Sequence, residues 1–289
     1  MGGIAGFLRK SYGLGGLFIL LIMQAAAWLG ISPLNIWVTP IGWYGYILFV
    51  DGCLEARSGR SLLIHRTGEF LAMFPVSVGL WCVFELHNLR FKNWEYIGLP
   101  ESDSVTAFAM IISFATILPA IMVTAEFLEG LGVGKRKPAA RTYPERRLIA
   151  GIAAGMVLIA IPTIAPSIYT GPLIWGGYFL VFVSLNRLLG IPNGRDGERR
   201  MGMTNLLLAG YICGIVWETL NYWAATKWIY HVPYLADVKL FEMPVPGFLG
   251  FGPFAVAIAE MYWFLMRFPG MLIGLLPRTG FFKRIHGDF

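Results

Sequence analysis

Two segments of this chain repeat each other 133 residues apart, and each sets a glutamate inside an otherwise apolar run. Phe84-Glu85-Leu86-His87-Asn88 is followed by Asn93-Trp94-Glu95-Tyr96, and Trp217-Glu218-Thr219-Leu220-Asn221 by Lys227-Trp228-Ile229-Tyr230. The match extends to Pro40–Tyr46 against Pro172–Tyr178, and to Pro119 and Glu126 against Pro253 and Glu260. All offsets lie between 132 and 134 residues. A near-constant offset over separate segments marks one duplicated unit, so the fold must be one that half the chain can build twice. An acidic side chain at the centre of an apolar helix costs roughly 2.5–3.5 kcal/mol on insertion scales. Its recurrence asks for a function.

The setting is a membrane. Hydrophobic residues make up 56% of the chain and charged ones 14%, with a mean hydropathy of +0.63, against about 25% charged residues in soluble domains. Apolar runs near Leu14–Leu29, Pro40–Leu54, Phe70–Phe84, Val105–Phe127, Leu148–Ala165, Pro172–Leu189, Met203–Val216 and Phe248–Met266 predict about eight transmembrane helices. The expected fold class is therefore an all-α integral membrane protein of two parallel four-helix repeats. The repeats would be residues 1–134 and 148–289, joined by a basic linker at 135–147. With the N-terminus inside, 19 of the 23 basic residues fall on inner segments, leaving only Arg90, Lys92, Lys227 and Lys239 outside. That bias places both termini in the cytoplasm, consistent with a bacterial inner membrane. It also accounts for the net charge of +6 without a nucleic-acid partner.

An even number of spans per unit puts the two units in parallel, unlike inverted-repeat transporters. Arg9-Lys10 and Ala25-Ala26-Ala27 superficially resemble a signal peptide, but Leu14 onward corresponds to Leu148 onward, so this run reads as the retained first span. Cys53, Cys82 and Cys213 lack metal or redox spacing. Pro75, Pro119, Pro162 and Pro253 predict kinks or freed carbonyls. Gly151-x-x-x-Gly155 and Gly210-x-x-x-Gly214 fit close helix packing.

Glu85/Asn88 and Glu218/Asn221 share an i, i+3 spacing and hence a helix face, where the amide can bond the carboxyl. Phe91–Leu99 and Trp223–Tyr234 are rich in Trp and Tyr and read as interfacial or re-entrant lids over these acids. The second unit adds the loop Phe241-Glu242-Met243-Pro244-Val245-Pro246-Gly247, where the first has the smooth helical run Val105–Ser113. Glu126, near Glu129 and the basic linker, reads as interfacial. Glu260, beside Tyr262 and Trp263, reads as deeper and suited to a proton path. Asp51 and Glu55 cap span two beside Arg57 and read as surface.

Asp51-Gly52-Cys53-Leu54-Glu55-Ala56-Arg57 approaches the start of the CDP-alcohol phosphotransferase motif but has one residue too many and lacks the later paired aspartates, so magnesium–diphosphate chemistry is not supported. His65, His87, His231 and His286 do not occupy equivalent repeat positions, which argues against haem ligation. No metal and no cofactor are expected.

Trp217-Glu218, then Trp228-Ile229-Tyr230, then Glu242-Met243-Pro244 opening Gly247-Phe248-Leu249-Gly250-Phe251, resembles the lycopene cyclase domain of heterodimeric bacterial and fused fungal cyclases. Those cyclases are also small, multi-span and built from two related units. The family carries paired acids after the proline, where this chain has Val245-Pro246-Gly247. The resemblance implies cofactor-free cyclisation of a polyisoprenoid, with protonation of a terminal alkene, steering of the carbocation and loss of a proton. Glu218 or Glu242 would donate the proton and Glu85 would accept it. Trp217, Tyr222, Trp223, Trp228 and Tyr230 would stabilise the cation, with Trp94 and Tyr96 as their counterparts in the first unit.

The leading expectation is thus an intramembrane enzyme acting on an isoprenoid or carotenoid-like lipid. Its expected catalytic residues are Glu218, Asn221, Glu85, Asn88, Glu242 and Glu260. Two alternatives stay open. One is a proton- or ion-coupled carrier using Glu85 and Glu218, and the other a non-catalytic scaffold or lipid-binding subunit. A membrane partner subunit or a homo-oligomer is compatible with all three.

Overall fold

The computed structural model describes residues 2–134, 143–191 and 201–275. Most of the basic linker (135–142), the basic segment 192–200 and the C-terminal basic tail lie outside the described residues. The elements run in order α1 (Gly2–Trp28), α2 (Val38–Ser58), α3 (Leu62–His65), α4 (Thr67–Phe91), β1 (Trp94–Ile97), α5 (Asp103–Phe114), α6 (Ile117–Gly130), α7 (Glu145–Ile164), α8 (Leu173–Leu188), α9 (Met203–Tyr222), β2 (Lys227–Tyr230), β3 (Lys239–Leu240), β4 (Met243–Pro244) and α10 (Phe251–Leu275). A 3₁₀ stretch at Val245–Gly250 precedes α10.

Each predicted apolar run falls on a helix. Among the described residues, six helical segments are long and apolar enough to cross a membrane, counting α5 and α6 as one. α8 is apolar but only 16 residues long. α2 has the length, at 21 residues, but carries Asp51, Glu55 and Arg57 near its end.

α6 and α10 lie at the centre, packed on α2 and α9 and on α8 and α9 respectively. α1 lies against α2 and α7 against α8 on the flanks. The glycine motifs allow these approaches. A Cβ at Gly210 would sit 2.3 Å from the Phe251 carbonyl oxygen, and one at Gly155 2.7 Å from that of Gly177. The matched prolines 119 and 253 each take the third position of a helix, α6 and α10, where the missing N–H would have no helical partner. Pro119 thereby ends the bonding that would continue α5, and Ser77 secures the break. Its Oγ donates to the Phe114 carbonyl (2.5 Å) and accepts from the Leu118 amide (3.0 Å).

The all-α expectation misses one feature that matters for the site. The two Trp-x-Tyr segments, read as separate lids, pair with each other as the antiparallel ribbon β1–β2, Trp94 opposite Tyr230 and Tyr96 opposite Trp228. Strand alternation puts these four rings on one face. A second small ribbon, β3–β4, pairs Leu240 with Met243 in the acid–proline loop.

Gly98, just past β1, has φ +65°, and a Cβ there would lie 2.0 Å from the Ala225 carbonyl oxygen. Gly98→Ala is expected to destabilise the protein by about 1–3 kcal/mol. Thermal unfolding in a fixed lipid environment checks this, and an unchanged midpoint would show the ribbon end to be free to shift.

Candidate functional site

Beneath the β1–β2 ribbon lies a cavity of about 450 Å³, within the range of small-molecule sites. Trp43, Trp81, Trp94, Trp175, Trp217 and Trp228 line it, with Tyr96, Tyr230, Phe114 and Phe254. The rings form a connected shell. Trp81 stands 5.6 Å from Trp217, 5.9 Å from Trp94 and 5.8 Å from Phe254, while Trp217 is 5.7 Å from Trp228 and 5.8 Å from Trp43. Such edge and offset contacts suit the ring quadrupoles and fix the wall.

The glutamates of the two matched segments sit behind this wall, each bonded to a tyrosine of the ribbon. Glu218, fully buried on α9, accepts from the Tyr230 hydroxyl through Oε1 (2.8 Å). The Tyr230 oxygen in turn accepts from the Trp228 indole (2.6 Å). Oε2 of Glu218 is buried with no hydrogen-bond partner. The Trp228 ring, the Met243 amide and Glu242 lie close enough to bear electrically on this carboxyl. Glu85, half-buried on α4, gathers three donors on Oε1: Trp81 Nε1 (2.7 Å), Trp94 Nε1 (3.2 Å) and Tyr96 Oη (2.5 Å). Convergent N–H and O–H groups stabilise negative charge on that oxygen. The acids are therefore wired alike to the ribbon but differ in satisfaction, one with a bare oxygen and one with a crowded one. Burial, reinforced by the neighbouring Glu85 or Glu218, pushes both Tyr96 and Tyr230 well above the ordinary phenol range, so each stays a proton donor.

The asparagines do not bond these carboxyls. Asn88 Nδ2 donates to the Trp94 carbonyl (2.8 Å) and its Oδ1 accepts from the Trp94 amide (3.2 Å). Asn221 does the same with Trp228, at 2.8 and 2.9 Å. Each side-chain amide thus imitates a strand partner and ties the end of its helix to the start of its strand. The i, i+3 spacing places the acid on its tyrosine and the amide on the strand backbone, a positioning role.

Other expected residues lie elsewhere. Glu242 pairs with Lys227 Nζ (2.5 Å), which also donates to the Tyr222 carbonyl (3.2 Å). Tyr222 and Trp223 are 40% and 36% exposed and pack against Phe241 outside the cavity lining. Glu260 is buried beyond the cavity lining and accepts from Asn186 Nδ2 of α8 (2.6 Å).

Two readings of surface charge are corrected. Glu126 is 2% exposed, held by Arg66. Asp51 is 1% exposed, accepting from Tyr12 (2.7 Å), Ser61 (2.5 Å) and the Leu62 amide (2.7 Å). In both cases the partner comes from a distant or turning segment that charge spacing along one helix does not reveal.

The wall residues Trp43, Trp81, Trp175, Phe114 and Phe254 were not anticipated. Trp43 and Trp175 occupy equivalent positions in the matched Pro40–Tyr46 and Pro172–Tyr178 segments, so the repeat itself carried the signal for them. No family model, curated protein or solved structure matches the chain.

Proposed function

We propose that this chain is an integral membrane enzyme that receives the end of an isoprenoid or carotenoid-like lipid in the ring-lined chamber and cyclises or isomerises it by proton transfer. In this reading α2 and α8 complete eight spans. The spans form two four-span units about an axis along the membrane normal, with both termini on the cytoplasmic side of a bacterial inner membrane. The distribution of basic residues supports that orientation, and the ribbon then lies toward the outer face.

The observation that carries the proposal is the pair of acids wired through ribbon tyrosines to one aromatic chamber. Glu218 is the proton source, with Tyr230 as the group facing the chamber. Tyr230 delivers its hydroxyl proton to a terminal alkene carbon as Glu218 returns one to the phenol oxygen; the alkene π pair forms the new C–H bond and positive charge is left on the adjacent carbon. A second alkene of the same chain attacks that carbon and closes a ring. Loss of a proton toward Tyr96 and Glu85 restores a double bond, so the product is an isomer and no external oxidant or reductant is needed. The rings stabilise the intervening cation through their faces. Glu218 takes this role over Glu242, whose carboxylate is engaged by Lys227. The resemblance of Trp217-Glu218, Trp228-Ile229-Tyr230 and Glu242-Met243-Pro244 to the lycopene cyclase domain supports the same chemistry.

Expression in cells that accumulate an acyclic carotenoid tests the proposal. A new product of unchanged mass and shortened chromophore is the expected result. An unaltered carotenoid profile, with the protein present in the membrane, would overturn that substrate class.

A further inference from the structure

We infer that the chamber is a site for quaternary cations, binding a trimethylammonium group in preference to a neutral group of the same shape. The inference rests on the chamber being the ligand site of the proposed enzyme, since rings that hold the cation formed in that reaction hold a stable quaternary cation through the same faces. Six tryptophans and three tyrosines line one cavity of about 450 Å³, and ring faces attract a cation placed within about 6 Å of their centroids. Behind the rings stands Glu85, whose three donors, Trp81, Trp94 and Tyr96, are groups of the same wall, so the rings cover the carboxylate and stand between it and the chamber.

That covering decides which cation fits. A primary ammonium brings three N–H groups that need acceptors, and neither Glu85 nor Glu218 is part of the cavity lining. A quaternary ammonium has no N–H to satisfy and loses little on leaving water for rings. Lys227, the charged residue in the lining, is neutralised by Glu242 and does not repel the ligand. Thr39 also lines the cavity, and its Oγ1 is buried without a partner. It offers a hydrogen bond to a hydroxyl or ester oxygen carried near the cation. The chemistry is that of choline, whether free in solution or as a lipid headgroup.

The test uses the full-length protein in nanodiscs of phosphatidylglycerol, with tryptophan fluorescence read during titration. Three probes are compared: choline, its neutral isostere with tert-butyl in place of trimethylammonium, and ethanolamine. Choline is expected to bind roughly thirtyfold tighter than the isostere, the effect of about 2 kcal/mol, and tighter than ethanolamine. Glu85→Gln is expected to erode the preference for choline over the isostere, and Trp217→Leu to weaken choline binding. Should Trp217→Leu fail to fold, Glu85→Gln alone carries the comparison.

Equal affinity for choline and its isostere would overturn the inference while leaving the chamber as a neutral apolar site for an isoprenoid. Absence of binding by all three would overturn it as well, and so would a choline signal insensitive to both substitutions. Repeating the titration in phosphatidylcholine nanodiscs separates the sources. Loss of the choline response there identifies the lipid headgroup as the occupant, and persistence identifies the free solute.

Discussion

Glu218→Gln is expected to lower turnover of an acyclic isoprenoid by roughly 10²–10⁴-fold, the usual weight of a positioned general acid. The same change at Glu242 should cost less than about tenfold. The contrast follows from surroundings rather than residue type. Glu218 is fully buried on α9, bonded through Tyr230 to the chamber wall, with its second oxygen unpartnered. Glutamine keeps the shape and the bond from Tyr230 but has no proton to give. Glu242 sits in the loop between β3 and β4, paired with Lys227 and outside the cavity lining. Tyr230→Phe should fall between the two, since it removes the chamber-facing hydroxyl while leaving the acid in place. Initial rates in membranes matched for protein content check all three variants. Normal turnover by Glu218→Gln would remove the proposed acid, and a large loss in Glu242→Gln would move the acid to the loop.

The sequence carries the chamber further than it carries the fold around it. Trp94, Tyr96, Trp217, Trp228 and Tyr230 were expected at the site and do line the cavity, because a duplicated motif is visible without knowing what it touches. The β1–β2 pairing was not legible. Strands of four residues joined across more than a hundred positions leave no local periodicity, and a half-buried Trp-x-Tyr segment looks the same in a lid as in a ribbon. The asparagines were misread for a related reason. Helical spacing puts Asn88 and Asn221 near their glutamates, but the nearest unsatisfied backbone belongs to the strand that follows. Tyr222 and Trp223, adjacent in sequence to the site helix, fall on the other side of the turn and pack with Phe241. Aromatic density along a segment does not say which ring faces in.

The buried charges show the same limit, and they set the largest expected change in stability. Arg66→Met is expected to destabilise the protein by about 3–5 kcal/mol. Arg66 stands at the entry to α4, its side chain 14% exposed. Its Nη2 bonds both oxygens of Glu126 at 2.5 and 2.6 Å, and its Nη1 reaches Glu69 at 3.3 Å. Glu126 is 2% exposed on α6, a central helix of the bundle. Removing the guanidinium strands a buried carboxylate, and that stranded charge, more than the lost attraction, makes the single change severe. Replacing both partners, as in Arg66→Met with Glu126→Leu, should therefore recover most of the loss. Thermal unfolding of the single and double variants in one lipid composition decides it. A double variant no more stable than Arg66→Met would mean that the arginine acts through packing of its stem and not through the charge it cancels.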